Sequence, residues 1–230
     1  MTNINKEIEE SLSRSFDGPS RFLLAVSGGP DSQVLISAFS HVAKGLGHTV
    51  SALGVNHGLR PEADSELDLA QVLCEKAEIP FFRERVSVAP GGNIQARARD
   101  ERYSVLLKKA FEVKAAIVTA HHKDDLAETV MTRILRSGKV GALAVLPEMT
   151  YYKYEDTTVP IFRPFLNVER IDIESYAKRW EIPFATDPSN SNTHYTRCWL
   201  RHEVFPVLKE RYPDLVDKLV SLSKDARTVK

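Results

Sequence analysis

Cysteine is nearly missing from this sequence. Cys74 and Cys198 are the only two in 230 residues, far apart and in no Cys-x-x-Cys pair, so neither a disulfide framework nor a zinc or iron–sulfur site is indicated. Net charge is missing too. Thirty-one basic residues balance 31 acidic ones, so the global balance announces no nucleic-acid partner, although a basic face can hide inside a neutral total. No apolar run approaches the ~20 residues that span a bilayer. The opening segment MTNINKEIEESLSRSFDGPS lacks the apolar stretch of a signal peptide, which makes the cytosol the expected compartment. There is no internal repeat and no low-complexity tract. What is present is a hydrophobic fraction of 43%, enough for one buried core with at most a small appendage.

The periodicity alternates between two kinds of segment. Phe22 to Val26 is a continuous apolar run followed by a glycine turn, after which Val34, Leu35, Ala38, Phe39 and Val42 recur at helical spacing. The pattern then predicts a strand over Thr49 to Val55, a helix over Glu62 to Glu78 and a strand over Phe81 to Val88. It continues with a helix over about Gln95 to Val113, a strand over Ala116 to Ala120 and a helix over about Lys123 to Arg136. Such alternation implies an α/β fold, a parallel sheet with helices on both faces and ligands at the carboxyl ends of the strands. This core is expected over residues 1–145, with residues 146–230 a mainly helical extension packed on it.

The turn after the first strand reads Ser27-Gly28-Gly29-Pro30-Asp31-Ser32. Two glycines let the backbone pass close to a phosphate, and the amides at the start of the following helix point at the anion. Pro30 suits the first helical turn, and Ser27 and Ser32 offer hydroxyls. Asp31 beside a phosphate calls for a bridging cation, which Mg²⁺ would supply. A bare Ser-Gly-Gly is more often only a tight turn; its place between a buried strand and an amphipathic helix favours phosphate binding. No lysine follows as in GxxxxGK[ST], so a P-loop hydrolase is not indicated.

Further along, AHHKDDLAET enters a helix with the apolar stripe Leu126, Val130, Met131 and Ile134. Asp125 and Glu128 fall one turn apart on the opposite face, facing away from the core, and make a site for an ammonium group. The plainer reading is a solvated acidic helix start that complements the macrodipole, with Asp124 contributing. His121 and His122 would face the same crevice, but HHxDD is not a metal-ligand spacing. In ARARDERY, Arg99 and Arg102 share a face while Tyr103, Leu106, Leu107 and Ala110 form a buried stripe. A guanidinium there suits a polyphosphate, or pairs with Asp100 or Glu101 at the surface.

Taken together, SGGPDS, VNHGLR, ARDERY, AHHKDDLAET, RPFLNVER and DPSN followed by HYTRCWLR resemble the bacterial tRNA(Ile)-lysidine synthetases, in family order from about Arg21 to Leu208. SGGxDS alone marks the wider ATP-pyrophosphatase, or PP-loop, superfamily; VNHGLR with AHHxDDxAET narrows it. The resemblance implies an adenine nucleotide hydrolase-like fold, ATP and Mg²⁺ as cofactors, and tRNA(Ile) with a CAU anticodon and free L-lysine as partners. It implies adenylation of C2 of the wobble cytidine, followed by attack of the lysine ε-amine. Ser27 to Ser32 would hold the triphosphate, with Asp31 on Mg²⁺, and Val55, Asn56 and His57 would meet the adenine. Arg102 would stabilise charge during adenylation, Asp125 and Glu128 would orient the lysine amine, and His121 would be a proton shuttle or a ribose-phosphate contact. Arg60, Arg163, Arg197 and Arg201 would contact tRNA or form structural salt bridges.

The chain departs from the family at Arg136-Ser137-Gly138-Lys139, where members carry Arg-Gly-Ser-Gly, and at Arg197-Cys198, where they carry Arg-Asn. Many members also continue into C-terminal tRNA-gripping domains, so a short form, a piece of a longer chain or an altered substrate is expected. Keeping the adenylation and changing the nucleophile gives the alternatives of tRNA thiolation and small-molecule amide ligation. Thiolation usually needs a catalytic cysteine or a cluster.

Overall fold

The structure is a computed structural model that describes residues 2–58, 61–87, 91, 94–185 and 193–228. Its centre is β1 (Arg21–Val26), whose residues 22–24 are fully buried because both faces of the strand are covered. β1 pairs in parallel with β2 (Thr49–Asn56) on one side and β4 (Ala116–Val118) on the other, with Phe22 opposite Val50 and Ala116. β3 (Phe81–Arg85) extends the sheet beyond β2, also in parallel. Beyond β4 lie β6 (Thr157–Phe162), parallel, and β5 (Met149–Tyr154), antiparallel at the edge, which gives the order β3-β2-β1-β4-β6-β5.

Alternate residues of β1 serve two cores. Phe22, Leu24 and Val26 join the larger one. It is closed by α1 (Ile4–Ser15), by α2 (Pro30–Val34) running through a π turn (Leu35–Phe39) into α3 (Ser40–Gly45), and by α4 (Ala63–Lys76) and α7 (Arg170–Arg179). Leu23 faces the smaller core under α5 (Ile94–Val113), where Tyr103, Leu106 and Ala110 are buried as their spacing predicts. A third cluster packs α6 (Lys123–Arg136) against α9 (Phe205–Arg211) and α10 (Leu215–Ala226). Its α6 members are Leu126, Ala127 and Val130. Ile134, expected in the stripe, is exposed because the last turn of α6 extends past this cluster. Among the described residues no helix is long and apolar enough to cross a membrane.

The α/β fold with helices on both faces matches the sequence pattern, but the sheet does not stop at residue 145. β5 and β6 complete it, with Val159 and Ile161 in the smaller core and Phe162 in the larger. The polar look of MTYYKY comes from its position: an edge strand keeps one side in water and so carries Tyr and Lys where an inner strand carries Val and Ile. Phe162 lies edge-on to Phe16 (5.2 Å between centroids) and to Phe39 (6.4 Å), inside the same aromatic group as Phe22. Phe162→Ala is therefore expected to destabilise the whole protein by about 3–5 kcal/mol, in a single urea transition. A loss below about 1 kcal/mol, or a separate second transition, would show that β6 is not part of the common core.

Candidate active site

The order of the strands sets the place. From β1 the chain crosses to β2 on one side, and β4 joins on the other, so a crevice opens at the carboxyl ends of β1 and β4. A cavity of about 180 Å³ lies there, lined by Ser27, Gly29, Asp31 and Ser32 of the loop, Arg102 and Tyr103 of α5, Thr119 and His121 after β4, and Asp125 of α6. It is smaller than the roughly 300–1,000 Å³ of a pocket that encloses a whole small molecule. It can therefore take the reacting groups while the remainder of a nucleotide extends along neighbouring strand ends.

The loop is held by its own polar atoms. Ser32 Oγ accepts the Ser27 N–H at 3.1 Å and lies 2.5 Å from the Ser27 carbonyl oxygen and 3.0 Å from that of Gly29. The Ser32 hydroxyl thus braces the turn instead of projecting at a ligand. Ser27 Oγ, 3.2 Å from Ser32 Oγ and 3.4 Å from the Gly29 nitrogen, also closes on the turn. Gly28 is required for a different reason. A Cβ there would stand 2.9 Å from the Glu66 Cα, so α4 is packed directly on the loop backbone. The Gly28 carbonyl also accepts the Ala185 N–H at 2.8 Å. Gly29 caps α2 and Pro30 occupies its first turn, as the sequence predicts.

The carboxylates of α6 are arranged otherwise than expected. Asp125 and Glu128 do lie together off the apolar stripe, but both are buried, Glu128 to 1% exposure. The face opposite the stripe is covered by α8 (Thr196–Trp199) and a second π turn (Leu200–Val204), which bring Arg197 and Arg201 over it. Arg197 Nε donates to Glu128 Oε2 at 2.7 Å and its terminal nitrogen to Asp125 Oδ1 at 2.6 Å. Arg201 Nε donates to Glu128 Oε1 at 2.6 Å, and a terminal nitrogen to Glu128 Oε2 at 2.9 Å. The expected open ammonium site is thus filled by two guanidiniums, and Arg197 and Arg201 form the structural salt bridges that were the alternative to a tRNA contact. Arg163 is likewise structural: 3% exposed, it donates to the Pro147 carbonyl at 2.8 Å and to Thr150 Oγ1 at 2.9 Å. Arg60 lies outside the described residues, as does the DPSN segment.

The rest of the α6 start ties helices together. Asp124 accepts the Arg170 N–H at 2.9 Å and Lys209 Nζ at 3.2 Å, so it joins α7 and α9 and does not sit free at the helix terminus. Lys123 Nζ reaches Glu169 at 2.9 Å and Asp217 at 2.6 Å, joining α10.

Electrostatics separates the roles. Burial pushes the Asp31 carboxyl upward, with Asp125 acting in the same direction, against the nearby His122. Burial would also raise Asp125, but His122, Arg197 and His121 and the His122 N–H hold it well below the usual carboxylate range. His121 is pushed down to about 3 by burial, helped by Arg163, Arg197 and Arg99. With its Nδ1 2.8 Å from Thr119 Oγ1 it is a neutral, fixed hydrogen-bonding group, and a poor general base at neutral pH. His122, placed in the crevice by the sequence reading but given no role there, lies between the two halves of the site. It is 1% exposed, and its Nε2 is 3.5 Å from Asp125 Oδ2 and 3.8 Å from Asp31 Oδ2. The doubled histidine was the available signal, but only the fold shows which ring turns inward.

The predicted adenine contacts stand beside the cavity, at the end of β2, and do not line it. Asn56 is engaged, donating to Asp64 at 2.7 Å and accepting the Gly58 N–H at 2.7 Å, and Val55 pairs with Glu84 in the sheet. His57 is pushed down by burial and by the charge of Arg102. Arg102 stands with its guanidinium carbon 5.8 Å from the Tyr103 ring, and among the described residues neither it nor Arg99 pairs with a carboxylate. Of the two cysteines, Cys74 is buried in the larger core with its thiol pushed up to about 12 by burial, a packing residue.

A glycine loop at the end of the central strand of a mostly parallel sheet thus faces an arginine and a carboxylate across one cavity. Residues 1–208 match the PP-loop domain model, and the chain belongs to that family. Its sequence is similar to curated tRNA(Ile)-lysidine synthases. That of Haemophilus influenzae (strain 86-028NP) is 34% identical over 216 residues, covering 92% of this chain and 48% of the relative. That of Coxiella burnetii is 36% identical over 198 residues, covering 85% and 43%. The chain thus spans about half the length of the curated relatives it matches. Among solved structures, the U34-tRNA thiolase NcsA from Methanococcus maripaludis aligns over 99% of this chain and 80% of its own, with a TM-score of 0.79 at 18% identity. NMN synthetase from Francisella tularensis aligns over 99% and 95%, with a TM-score of 0.58 at 13% identity. Both share the fold.

Two consequences can be measured. Glu128→Ala removes the buried carboxylate shared by Arg201 and the partly solvated Arg197 and should cost about 2 kcal/mol of stability, read by urea unfolding. A change within a few tenths would mean that the arginines re-pair at no cost. The folded-state pKa of Asp125 lies below its unfolded value of about 3.9, so its contribution is present above that pH and lost as the pH falls further. Asp125→Asn should flatten that acid limb of the stability curve. The folded pKa of Asp31 is raised, so its ionised form opposes folding at neutral pH. Asp31→Asn should accordingly raise the unfolding midpoint at pH 7, and a lowered midpoint would contradict the assigned direction.

Proposed function

We propose that this chain carries the catalytic part of an ATP-dependent tRNA(Ile)-lysidine synthetase. The observation that carries the reading is the convergence of the loop, Arg102, His121 and Asp125 on one cavity, in a chain whose curated relatives bear that name. In the first step, the C2 carbonyl oxygen of the wobble cytidine of a CAU-anticodon tRNA(Ile) attacks the α-phosphorus of ATP, and pyrophosphate leaves. In the second, the ε-amine of L-lysine attacks C2 and AMP leaves with the oxygen, giving lysidine.

The residues divide this work. The backbone from Ser27 to Ser32 receives phosphate oxygens at the start of α2, with Gly28 and Gly29 allowing the approach and Ser32 holding the loop in shape. Arg102, which among the described residues pairs with no carboxylate, faces the charge that develops on the phosphates. Val55, Asn56 and His57 lie on the adenine side. His121, neutral, offers a hydrogen bond to the base or ribose. Asp125 is the carboxylate that reaches the cavity and meets the lysine amine. Glu128 acts one step behind, fixing Arg197 and Arg201 against Asp125.

Mg²⁺ fits Asp31, because a cation beside this half-buried carboxylate would offset the burial that raises its pKa. Among the described residues no group of three ligands is assembled, so Asp31 would hold the ion together with phosphate oxygens and water. When bound, the ion would neutralise the departing pyrophosphate.

The test is to mix the protein with ATP, Mg²⁺, radiolabelled lysine and a CAU-anticodon isoleucine tRNA. Label should enter the tRNA with matching pyrophosphate release. Asp31→Asn should abolish both. Asp125→Asn should spare lysine-independent pyrophosphate release while cutting lysine transfer by ~100-fold or more, as loss of a charged orienting group does. Pyrophosphate release on another acceptor, with no label in this tRNA, would sink the lysidine assignment and spare the adenylation.

A further inference from the structure

On the α5 side the cavity wall continues outward into an array that the two chemical steps leave unused. Tyr103, which lines the cavity, stacks on Tyr152 of β5 with ring centroids 5.9 Å apart and planes inclined by 25°. The Arg99 guanidinium carbon stands 4.9 Å from the centre of the Tyr103 ring. The inner end is packed: Tyr103 is buried beside Arg163, which the Pro147 carbonyl and Thr150 hold in place. The outer end is open. Tyr152 is 37% exposed, Arg99 is exposed, and among the described residues no carboxylate pairs with Arg99.

A chain with no net charge has here concentrated unneutralised guanidinium beside stacked aromatic rings. That combination suits unpaired RNA bases, since every base offers a π-face to a ring and a phosphate to an arginine. Sheet order decides against the adenine of ATP. The expected adenine contacts lie on β2, whereas β5 lies three strands from β1 on the opposite side. A base that enters the cavity for adenylation must leave its stack, and its chain neighbours must then be held outside.

We propose that Tyr152, backed by Tyr103 and flanked by Arg99, is a stacking platform for an unpaired nucleobase of the RNA acceptor adjoining the base being activated, with Arg99 taking the neighbouring phosphate. This deepens the function proposed above and rests on it. Because the stack is already assembled, the RNA orders it at little further cost.

The test uses a short synthetic stem–loop RNA carrying the CAU anticodon, with 2-aminopurine in place of the loop adenine next to the cytidine. The unaltered chain should bind it and quench the fluorescence. Tyr152→Ala should weaken binding by roughly 5- to 150-fold and abolish the quench, while Tyr152→Phe and Tyr152→Trp keep both. Tyr152 is on an edge strand and half-exposed, so the unfolding midpoint should hold. Arg99→Gln should lower the slope of log affinity against log salt by about 0.7. Equal binding by Tyr152→Ala, or a loss in Tyr152→Phe as large as in Tyr152→Ala, overturns the platform and leaves the adenylation reading standing. A raised ATP requirement in Tyr152→Ala with RNA binding intact gives the ring to the nucleotide and also overturns it. Failure of the unaltered chain to bind the stem–loop overturns the RNA reading itself, and the platform with it.

Discussion

Two carboxylates one turn apart on the same helix, both out of water, cannot stand alone. Desolvation and mutual repulsion work together against them. Asp125 and Glu128 are stable in place because Arg197 and Arg201 arrive from about 70 residues further along the chain and satisfy them with five hydrogen bonds and ion pairs. The same helix start joins α7, α9 and α10 through Lys123 and Asp124. The late helices are therefore fastened to α6 both through these charged groups and through the apolar cluster of Leu126, Val130, Phe205 and Leu219. Buried ion pairs of this kind contribute little net stability against an apolar substitute, but they fix geometry closely. Here the geometry they fix is that of the group facing the cavity.

This arrangement also changes what the acidic helix means. A pair of free carboxylates would be a general cation trap. A pair already answered by guanidiniums discriminates, because an incoming amine gains only by contributing to a network that is nearly complete. Asp125 shares its oxygens among Arg197, Arg201 and the His122 N–H, and it alone of the two carboxylates borders the cavity. His122 then stands between Asp31 and Asp125 and connects the two carboxylates.

Much of this was legible in the sequence. The strand, glycine turn and helix around Ser27 to Ser32 follow from local rules of backbone conformation, as does the buried stripe of α5. The cavity residues Arg102, His121 and Asp125 could be nominated because each stands near the end of a strand or on a helix beside one. Other features lay beyond local reading. β5 is masked by the tyrosines and lysine that an edge strand tolerates. The pairing of Arg197 with Glu128, 69 residues away, leaves no trace in any short window. The inward turn of the Ser32 hydroxyl, and the choice between His121 and His122 for the buried place, depend on packing that no periodicity encodes. The stack of Tyr103 on Tyr152 joins a helix to a strand 49 residues later and is visible only once the sheet has closed.

The contact between Gly28 and α4 carries one last implication, for how the family can vary. Because the backbone of the loop rests against Glu66, with no room for even a methyl group between them, the glycine turn and the helix after β2 form one mechanical body. The height of the loop is thereby set in part by the residues around position 66 that support it from behind. Drift in α4 would be felt as a shift in loop height, and the two segments are expected to change together or not at all.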